Sequence, residues 1–237
     1  MNILIPMAGE GKRFIEEGYT TPKPLLDVCG KTVIERVIES IKLEGNFIFV
    51  VRKEHYVDYQ LEFYLNHLKP NCKIITVDSV TEGAACTALL AREFINTDEQ
   101  LIICDSDSLV YFDSKLLNNY LMDAAILTFK SDKPCWSFVE ANGNLQKIKR
   151  VEEKNPISNY ASAGRYYWKQ GKDFVHYAEQ MIERNIRVNN EFYVSPVYNL
   201  DIEDNKSVFN VLVDDFFNLG TPADLHEFIK QTSNSNL

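Results

Sequence analysis

The sequence predicts a single α/β domain with a mixed, mostly parallel central sheet, flanking helices and a small antiparallel substrate-binding portion. Three observations predict it. Short apolar runs alternate with stretches of helical period along the 237 residues, which is typical of parallel strands joined by helices. The early runs are nearly continuous rather than alternating, as expected for strands buried on both faces. After residue 135 the pattern changes, and Asn142-Gly143 indicates an antiparallel hairpin.

The first half of the chain supplies the strands of the parallel part. The apolar runs predict strands at Ile3 to Met7, Phe47 to Val51, Lys73 to Val77, Leu101 to Cys104 and Ala124 to Phe129. Between them, apolar residues at helical spacing predict one helix that begins near Lys31 and another that buries Tyr56, Tyr59, Phe63 and Leu68. Small residues after Gly83 predict a third helix that can approach the sheet closely.

The second half begins with the hairpin, between Ser137-Phe138-Val139 and Leu145-Gln146-Lys147-Ile148. A helix is predicted from Asp173 to about Arg184, a strand from Val208 to Val213, and a last helix after Thr221-Pro222. We therefore expect one domain over residues 1–230, with a first half (1–135) and a second half (136–230). The polar residues 231–237 are predicted to be a frayed tail.

Composition limits the function classes. A chain of this length holds one domain with a sizeable core. The formal net charge of -9 argues against nucleic acid as a partner. The five cysteines fit no Cys-x-x-Cys pattern and are expected to be reduced, and no run is long enough to cross a membrane. The expectation is a soluble cytoplasmic protein.

A glycine-rich turn follows the first predicted strand. Gly9 and Gly11 can present backbone N–H groups to oxygen anions, and Lys12, Arg13 and Lys23 follow closely with positive charge. The turn lies at the carboxyl end of a strand, where open α/β sheets bind ligands. It matches neither the dinucleotide fingerprint nor the P-loop, so a solvated turn with surface charges is the alternative.

Two carboxylates follow another predicted strand. Asp105-Ser106-Asp107 comes directly after Leu101 to Cys104, at the same edge of the sheet. Hard oxygen ligands at this place suit Mg²⁺, which takes one or two carboxylates and completes its shell with water and phosphate oxygens. The alternative is an ordinary turn or helix cap, for which Asp and Ser are also favoured.

These residues belong to a longer series of motifs that resembles the nucleotide-sugar pyrophosphorylases, or sugar-1-phosphate nucleotidyltransferases. The motifs are Pro6-Met7-Ala8-Gly9-Glu10-Gly11-Lys12-Arg13, Pro22-Lys23-Pro24-Leu25-Leu26, Glu82-Gly83-Ala84-Ala85, Asp105-Ser106-Asp107, Glu153-Lys154, Ala163-Gly164-Arg165-Tyr166-Tyr167, Glu191-Phe192-Tyr193-Val194 and Leu219-Gly220-Thr221-Pro222. They span nearly the whole chain in the family's order, and the resemblance implies that residues 1–135 form the nucleotide-binding half and residues 136–230 the sugar-phosphate-binding half. Among members, the chain most resembles small single-domain enzymes of capsule and surface-glycan synthesis.

The resemblance implies a Mg²⁺-dependent reaction in which a sugar phosphate attacks a nucleoside triphosphate and releases pyrophosphate. It implies catalytic roles for Arg13, Lys23 and Asp107. It implies nucleotide binding by Met7, Ala8, Gly9, Gly11, Lys12, Glu82, Gly83 and Asp105. It implies acceptor binding by Glu153, Lys154, Gly164 and Glu191. Asp107 would bind the metal, with Asp105 a close second candidate, and a homo-oligomer is possible.

The second metal ligand departs from the family pattern. Asn218 stands where many relatives have an aspartate, and it offers a carbonyl oxygen in place of a carboxylate. Asp214 or Asp215 could compensate, and the sequence does not decide between them. Three other functions also stay open: a cytidylyltransferase for a non-sugar phosphate, a glycosyltransferase that uses a nucleotide sugar, and a non-catalytic nucleotide-binding module.

Overall fold

One nine-stranded sheet organises the chain. The computed structural model describes residues 1–235, with side chains through residue 232. The strands are β1 (Asn2–Met7), β2 (Asp27–Val28), β3 (Lys31–Thr32), β4 (Asn46–Arg52), β5 (Lys73–Val77), β6 (Leu101–Cys104), β7 (Ser108–Tyr111), β8 (Ala124–Lys130), β9 (Ser137–Ala141), β10 (Ile148–Glu153), β11 (Tyr160–Trp168), β12 (Val208–Leu212) and β13 (Asp215–Asn218). The helices are α1 (Lys12–Glu16), α2 (Val33–Ser40), α3 (Lys53–Asp58), α4 (Leu61–Leu68), α5 (Ala84–Leu89), α6 (Arg92–Ile95), α7 (Gly171–Glu183), α8 (Val197–Glu203) and α9 (Pro222–Ser235).

The sheet has a parallel part and an antiparallel part, as predicted. Its strand order is β10-β9-β11-β6-β1-β4-β5, and β8 pairs with both β11 and β12. The strands β6, β1, β4 and β5 are mutually parallel. The strand β11 runs antiparallel to β6, β8 and β9 and joins the two parts. Small two-stranded pairings of β13 with β7 and of β2 with β3 complete the fold.

The core lies on both faces of the sheet. Along β1, Ile3, Ile5 and Met7 pack into one apolar cluster, whereas Leu4 packs into a second cluster on the opposite face. The five predicted strands are confirmed, and four of them are buried on both faces. The expectation fails for β5, whose residues are only partly buried because it is the last strand at one edge.

Several helix predictions need correction. A short helix, α1, begins at Lys12, well before the predicted first helix, which is α2. The predicted helix from Tyr56 to Leu68 is two helices, α3 and α4, because Gln60 adopts a left-handed conformation with φ 49°. Tyr59 and Phe63, both predicted to be buried, are 41% and 78% exposed and do not belong to the core. The predicted helices at Asp173 and after Thr221 are confirmed.

The hairpin is present but has a longer connection than Asn142-Gly143 predicted. The ladder of β9 and β10 starts at Ala141 opposite Ile148, so residues 142–147 form the loop. The loop is held to β12, since the Leu145 N–H donates to the Asn210 carbonyl (2.8 Å) and Asn210 Nδ2 donates to the Gly143 carbonyl (3.0 Å). These long-range bonds override the two-residue turn that the local sequence favours.

The predicted frayed tail is wrong where the structure describes it. Helix α9 continues through residues 231–235. The Thr232 hydroxyl donates to the Phe228 carbonyl (2.9 Å) and Gln231 Nε2 donates to Glu227 Oε1 (2.9 Å), and such bonds at a spacing of four residues support a helix. Residues 236 and 237 lie outside the described residues. Among the described helices, none is long and apolar enough to cross a membrane.

Candidate functional site

Two adjoining cavities lie at the carboxyl ends of β1 and β6. The first cavity, of about 420 Å³, is lined by the glycine-rich turn, by Val80, Thr81, Gly83 and Ala84, and by the acidic turn after β6. The second cavity, of about 530 Å³, is lined by residues from β9, β10, β11 and the start of α9. The residues common to both linings are Ala84, Asp105, Asp107 and Val194. The two carboxylates therefore stand where one cavity opens into the other.

The glycine-rich turn forms one wall of the first cavity. The lining includes every residue from Pro6 to Lys12. Gly11 has φ 69°, a left-handed conformation that glycine adopts without strain, and α1 begins directly after it. The Lys12 side chain is 76% exposed and pairs with Glu10 at 2.9 Å. The backbone of this turn thus faces the first cavity, and its role in binding phosphates stays a prediction.

Lys23 and Asp107 form an ion pair at the boundary of the cavities. Lys23 Nζ donates to Asp107 Oδ2 at 2.6 Å, and each side chain is about one-fifth exposed, at 21% and 22%. Pro22 sits at the start of a 3₁₀ turn over Lys23–Leu25 and limits the backbone freedom of this segment. Lys23 is therefore held close to the acidic turn, 84 residues away in sequence.

The two carboxylates of the acidic turn have opposite pKa shifts. Burial, with the nearby charge of Asp107, raises the pKa of Asp105 well above its usual range. Burial would also raise the pKa of Asp107, but the charge and hydrogen bond of Lys23 lower it below its usual value. Asp107 is accordingly the carboxylate that is ionised across the physiological range, which suits a metal ligand.

Two side-chain oxygen atoms that could bind a metal lie close to Gly220. A methyl group at Gly220 would lie 2.9 Å from Asp107 Oδ2 and 3.0 Å from Asn218 Oδ1. Within the described side chains, no group of three or more His, Cys, Asp or Glu residues forms a metal cage. One carboxylate and one amide oxygen fit Mg²⁺, which commonly keeps water and binds substrate phosphates, better than a metal that needs an all-protein cage.

Asn218 is oriented by a neighbouring acid that the sequence did not single out. Asn218 Nδ2 donates to Asp224 Oδ2 at 2.6 Å, and Asn218 Oδ1 accepts from the Gly220 N–H at 3.1 Å. Asp224 lines the second cavity, whereas Asp214 and Asp215 are exposed and are not among its lining residues. The carboxylate next to Asn218 is therefore Asp224, and the suggestion that Asp214 or Asp215 compensates is wrong.

Glu153 is held by two hydroxyl groups in the second cavity. The Ser195 hydroxyl donates to Glu153 Oε2 at 2.8 Å, and the Ser137 hydroxyl donates to the same oxygen. The Ser195 and Ser137 hydroxyl oxygens lie 2.9 Å apart. Both serines are almost fully buried. Because both bonds end on Oε2, the other carboxylate oxygen is oriented and can accept a hydroxyl from a ligand.

Lys154 adopts an unusual backbone conformation beside Glu153. Its φ is 57°, in the left-handed region that non-glycine residues rarely occupy. Its N–H donates to the Trp136 carbonyl (2.9 Å), and its Nζ donates to the Tyr193 hydroxyl (2.5 Å). Such strain is frequent at functional sites. The turn presents a second cation to the second cavity.

The loop at Glu82-Gly83 is joined to the segment before α8. Gly83 has φ 137° and lies so close to the Phe192 backbone that a Cβ would collide with it. The Phe192 N–H donates to the Glu82 carbonyl (2.8 Å), and the Phe192 carbonyl accepts from the Ala85 N–H (3.0 Å). These bonds bring Glu191 to the edge of the first cavity.

Most of the predicted site residues line one of the two cavities, but the positions of three residues differ from the prediction. Arg13 lines the second cavity and not the first. Glu191, expected to bind the acceptor, lines the first cavity. The Glu82 side chain is 66% exposed and pairs with Arg187 at 2.5 Å, so it points away from the cavities in the described part of the chain. The roles of these residues stay predictions.

Sequence reasoning missed Arg165, Ser137 and Ser195. Arg165 is 1% exposed and interrupts the apolar run of β11. A single arginine within an apolar run could have been recognised in the sequence as a candidate functional residue, because a buried charge needs a specific environment. The two serines gave no comparable signal, since their closeness to Glu153 comes only from the fold.

Comparison with known proteins decides the family. The family model described as "Nucleotidyl transferase" matches residues 3–235. The chain belongs to this nucleotidyl transferase family. Among curated relatives, it is 32% identical over 172 residues to the bifunctional protein GlmU of Methanococcus aeolicus, covering 70% of this chain and 39% of that protein. It is 30% identical over 183 residues to mannose-1-phosphate guanylyltransferase 1 of Arabidopsis thaliana, covering 70% of this chain and 49% of that protein.

Solved structures show the same fold as this nucleotidyl transferase. A nucleoside-diphosphate-sugar pyrophosphorylase from Vibrio cholerae superimposes with a TM-score of 0.86 at 24% identity, covering 97% of this chain and all (100%) of that one. The inositol-1-phosphate CTP transferase of T. maritima superimposes with a TM-score of 0.75 at 19% identity, covering 97% and 95% of the two chains. This chain spans only about two-fifths to one-half of the curated relatives' length.

Proposed function

We propose that this nucleotidyl transferase joins a nucleoside triphosphate to a sugar phosphate, releases pyrophosphate and makes a nucleotide-activated sugar. The observation that carries the proposal is the junction of the two cavities at Asp105 and Asp107. One cavity has a glycine-rich backbone wall for phosphates, and the other has Glu153 and Lys154 for a phosphorylated polyhydroxy compound. Two substrates bound in these cavities would meet at the carboxylates.

The first cavity suits the triphosphate. Backbone N–H groups around Gly9 and Gly11 can donate to phosphate oxygens, as they do in other anion-binding turns. Lys23 stands at the junction, where it can contact the α-phosphate and the incoming acceptor phosphate together. Arg13 reaches the second cavity from α1 and can offer a planar pair of donors to an anion that enters there.

The second cavity suits the acceptor. Lys154 can bind the acceptor phosphate through its ammonium group, and the free oxygen of Glu153 can accept a sugar hydroxyl. Gly164 lines this cavity beside Asp105, where a side chain would collide with the carboxylate. The resulting site would hold the acceptor phosphate close to the α-phosphorus.

The transfer needs no covalent enzyme intermediate. An acceptor phosphate oxygen forms a bond to the α-phosphorus while the bond from the α-phosphorus to the oxygen bridging to the β-phosphate breaks, and pyrophosphate leaves. Because all reactants are anions, the residues contribute alignment and charge neutralisation. Asp107 and Asn218 would hold Mg²⁺, which supplies further neutralisation of the phosphate charge when bound.

A pyrophosphate-release assay tests the proposal. ATP, CTP, GTP, UTP and dTTP would each be combined with hexose 1-phosphates in the presence of Mg²⁺, and pyrophosphate would be measured. We expect release that requires both a particular triphosphate and a sugar phosphate. Release from a triphosphate without an acceptor, or from no combination, would contradict the proposal.

An inositol phosphate is the second acceptor to test. A protein of this fold is described as an inositol-1-phosphate CTP transferase, and the hydroxyl-binding arrangement at Glu153 does not distinguish a sugar from a cyclic polyol. Adding inositol 1-phosphate and other polyol phosphates to the assay separates the two. The match to the nucleotidyl transferase model favours either over the glycosyltransferase and the non-catalytic module.

The cellular setting is part of the proposal. The activated sugar would serve surface-glycan synthesis such as capsule formation, which rests on the resemblance to small single-domain enzymes of that process. All five cysteines are free, which supports a reducing compartment such as the cytoplasm. The net charge of -9 supports small anionic substrates bound by local cations rather than nucleic acid.

A further inference from the structure

Arg165 lies beneath the acidic turn and is almost completely buried, at 1% exposure. Its guanidinium donates to three backbone carbonyls: Nη2 to Ser108 (2.6 Å), and Nη1 to Gly164 (3.0 Å) and to Asp105 (3.2 Å). Two of these carbonyls stand at the two ends of the turn that carries Asp105 and Asp107. The planar guanidinium therefore bridges the turn from one end to the other.

An irregularity in β11 places the guanidinium there. The pairing of β11 with β8 is regular up to Ser162 and resumes at Arg165, so Ala163 and Gly164 form a bulge. Gly164 has φ 70°, and its carbonyl accepts from the Asp105 N–H at 2.9 Å. Bulges re-aim side chains and are frequent next to active sites. The bulge at Ala163 and Gly164 therefore joins the acidic turn to β11 and directs the Arg165 side chain toward that turn.

The charge of Arg165 has no close carboxylate partner. Among the described residues, no acidic oxygen lies within 4.0 Å of its guanidinium. Burying an unpaired ion costs several kcal/mol in general, and a buried strand position ordinarily takes an apolar residue. Among the charges that act on Asp105 and Asp107, that of Arg165 is attractive toward both. The negative charges of Asp105 and Asp107 therefore compensate the buried positive charge of Arg165.

We propose that Arg165 is a positioning residue with two effects on the transfer site. Its three bonds hold the 105–108 turn in the shape that presents Asp107 at the junction of the cavities. Its fixed charge offsets part of the negative charge of Asp105 and Asp107, so that the pair binds a divalent cation more weakly than the two carboxylates would alone. This inference rests on the proposed function, and its tests include measurements that need no turnover.

The electrostatic effect can be distinguished by experiment from a general loss of structure. Replacing Arg165 by a neutral residue raises the net negative charge around Asp107, so divalent-cation affinity should be about three- to tenfold higher than in Arg165→Lys, which also loses the planar fork but keeps the charge. Loss of the three bonds should loosen the turn and lower kcat by at least about tenfold. A residue with only a structural role would lower cation affinity and turnover together.

Three variants test the proposal. Arg165→Met and Arg165→Gln remove the charge, and Arg165→Lys keeps the charge without the planar fork. Mn²⁺ binding by the full chain, measured by titration without nucleotide, should be tighter in the two neutral variants than in the lysine variant, because all three lose the planar fork and only the neutral variants lose the charge. Hydrogen exchange of the peptide containing residues 101–110 should be faster in all three, because the carbonyls of Asp105 and Ser108 lose the guanidinium that bridges the two ends of the turn.

Arg36 provides a matched control. It also donates to two backbone carbonyls, of Val28 (2.6 Å) and Cys29 (2.9 Å), and it lines neither cavity in the described chain. Arg36→Met should leave Mn²⁺ affinity and exchange at 101–110 unchanged. Either neutral Arg165 variant suffices if the other does not fold, and failure of both while Arg165→Lys folds supports the need for charge at this position.

The outcomes separate this inference from the proposed function. Mn²⁺ binding in the folded neutral variants that is no tighter than in Arg165→Lys would overturn the counter-charge effect, and unchanged exchange at 101–110 would overturn the positioning effect. If wild type shows no pyrophosphate release with any substrate pair, the proposed function fails, while the binding and exchange measurements still decide the role of Arg165.

Discussion

Gly220→Ala is the sharpest perturbation of the candidate metal site. The new methyl would lie 2.9 Å from Asp107 Oδ2 and 3.0 Å from Asn218 Oδ1, whereas ordinary contact begins at 3.4 Å. Each oxygen must therefore move by roughly 0.5 Å. That shift is about a quarter of the 2.0–2.1 Å bond that Mg²⁺ forms in near-ideal octahedral geometry. A metal ion that binds these oxygens also has to share this space with the methyl.

We expect Gly220→Ala to fold normally and to bind metal poorly. Gly220 does not have a positive φ, so alanine is compatible with its backbone and should change the free energy of unfolding by no more than about 1 kcal/mol. Mn²⁺ affinity should fall at least about tenfold, which corresponds to ~1.4 kcal/mol. Pyrophosphate release at limiting Mg²⁺ should fall by at least as much.

Isothermal titration with Mn²⁺ and urea unfolding measure the two effects separately. Gly143→Ala is a suitable control, because the nearest atom to its methyl would be Gln146 Cγ at an ordinary 3.6 Å and the site is remote from the cavities. Wild-type Mn²⁺ affinity in a folded Gly220→Ala variant would refute the placement of the metal at Asp107 and Asn218. A large loss of stability would show that the oxygens cannot move as assumed.

Three further predictions concern Asp201, Lys23 and Ser195. Burial raises the pKa of Asp201 to about 8 from its usual 3.8, so the folded chain binds more protons than the unfolded chain between these pH values. The free energy of unfolding should therefore fall by up to about 1.4 kcal/mol for each unit by which the pH rises. Asp201→Asn should flatten this slope in urea unfolding at pH 5, 6 and 7, and parallel slopes would contradict the assignment. Lys23→Met should lower kcat for pyrophosphate release by about 10²- to 10³-fold because it removes charge at the transferring phosphate, and near-normal release would contradict a role for Lys23 in the transfer. Ser195→Ala should raise KM for the acceptor by about five- to tenfold through the loss of one bond to Glu153 (2.8 Å), with kcat nearly constant; an unchanged KM would remove Glu153 from the acceptor site.

The sequence predicted the parallel strands because their burial on both faces leaves a direct trace in the pattern of residues. Ile102 and Ile103 are both fully buried although they face opposite sides, and a run of apolar residues records this. Strand β11 was not predicted as a strand, since Ser162, Gly164 and Arg165 interrupt its pattern. Its place in the sheet depends on pairing with β6 and β8, which are distant in sequence.

The candidate site divides in the same way. The glycine-rich turn and Asp107 could be placed together because each follows a strand that the sequence reveals, and the carboxyl ends of parallel strands meet at one edge. Lys23 follows no strand, and it was predicted from its motif, Pro22-Lys23-Pro24. Asp224 and Ser195 could not be predicted. Their roles arise from hydrogen bonds to Asn218 and Glu153 across the fold, and a serine or aspartate in a loop has no local feature that reveals such a partner.

Asp107 Oδ2 belongs both to the ion pair with Lys23 and to the candidate metal site. Lys23 Nζ donates to it at 2.6 Å, and it is also the oxygen nearest to the space beside Gly220. In the proposed reaction, a metal ion bound through this oxygen would displace the ammonium, and the phosphates of a bound triphosphate would accept it. Nucleotide binding would then free the carboxylate for the metal, and metal binding would free the lysine for the phosphates. By thermodynamic linkage each ligand would strengthen the binding of the other to the same degree, and the ion pair would couple assembly of the metal site to arrival of the substrate.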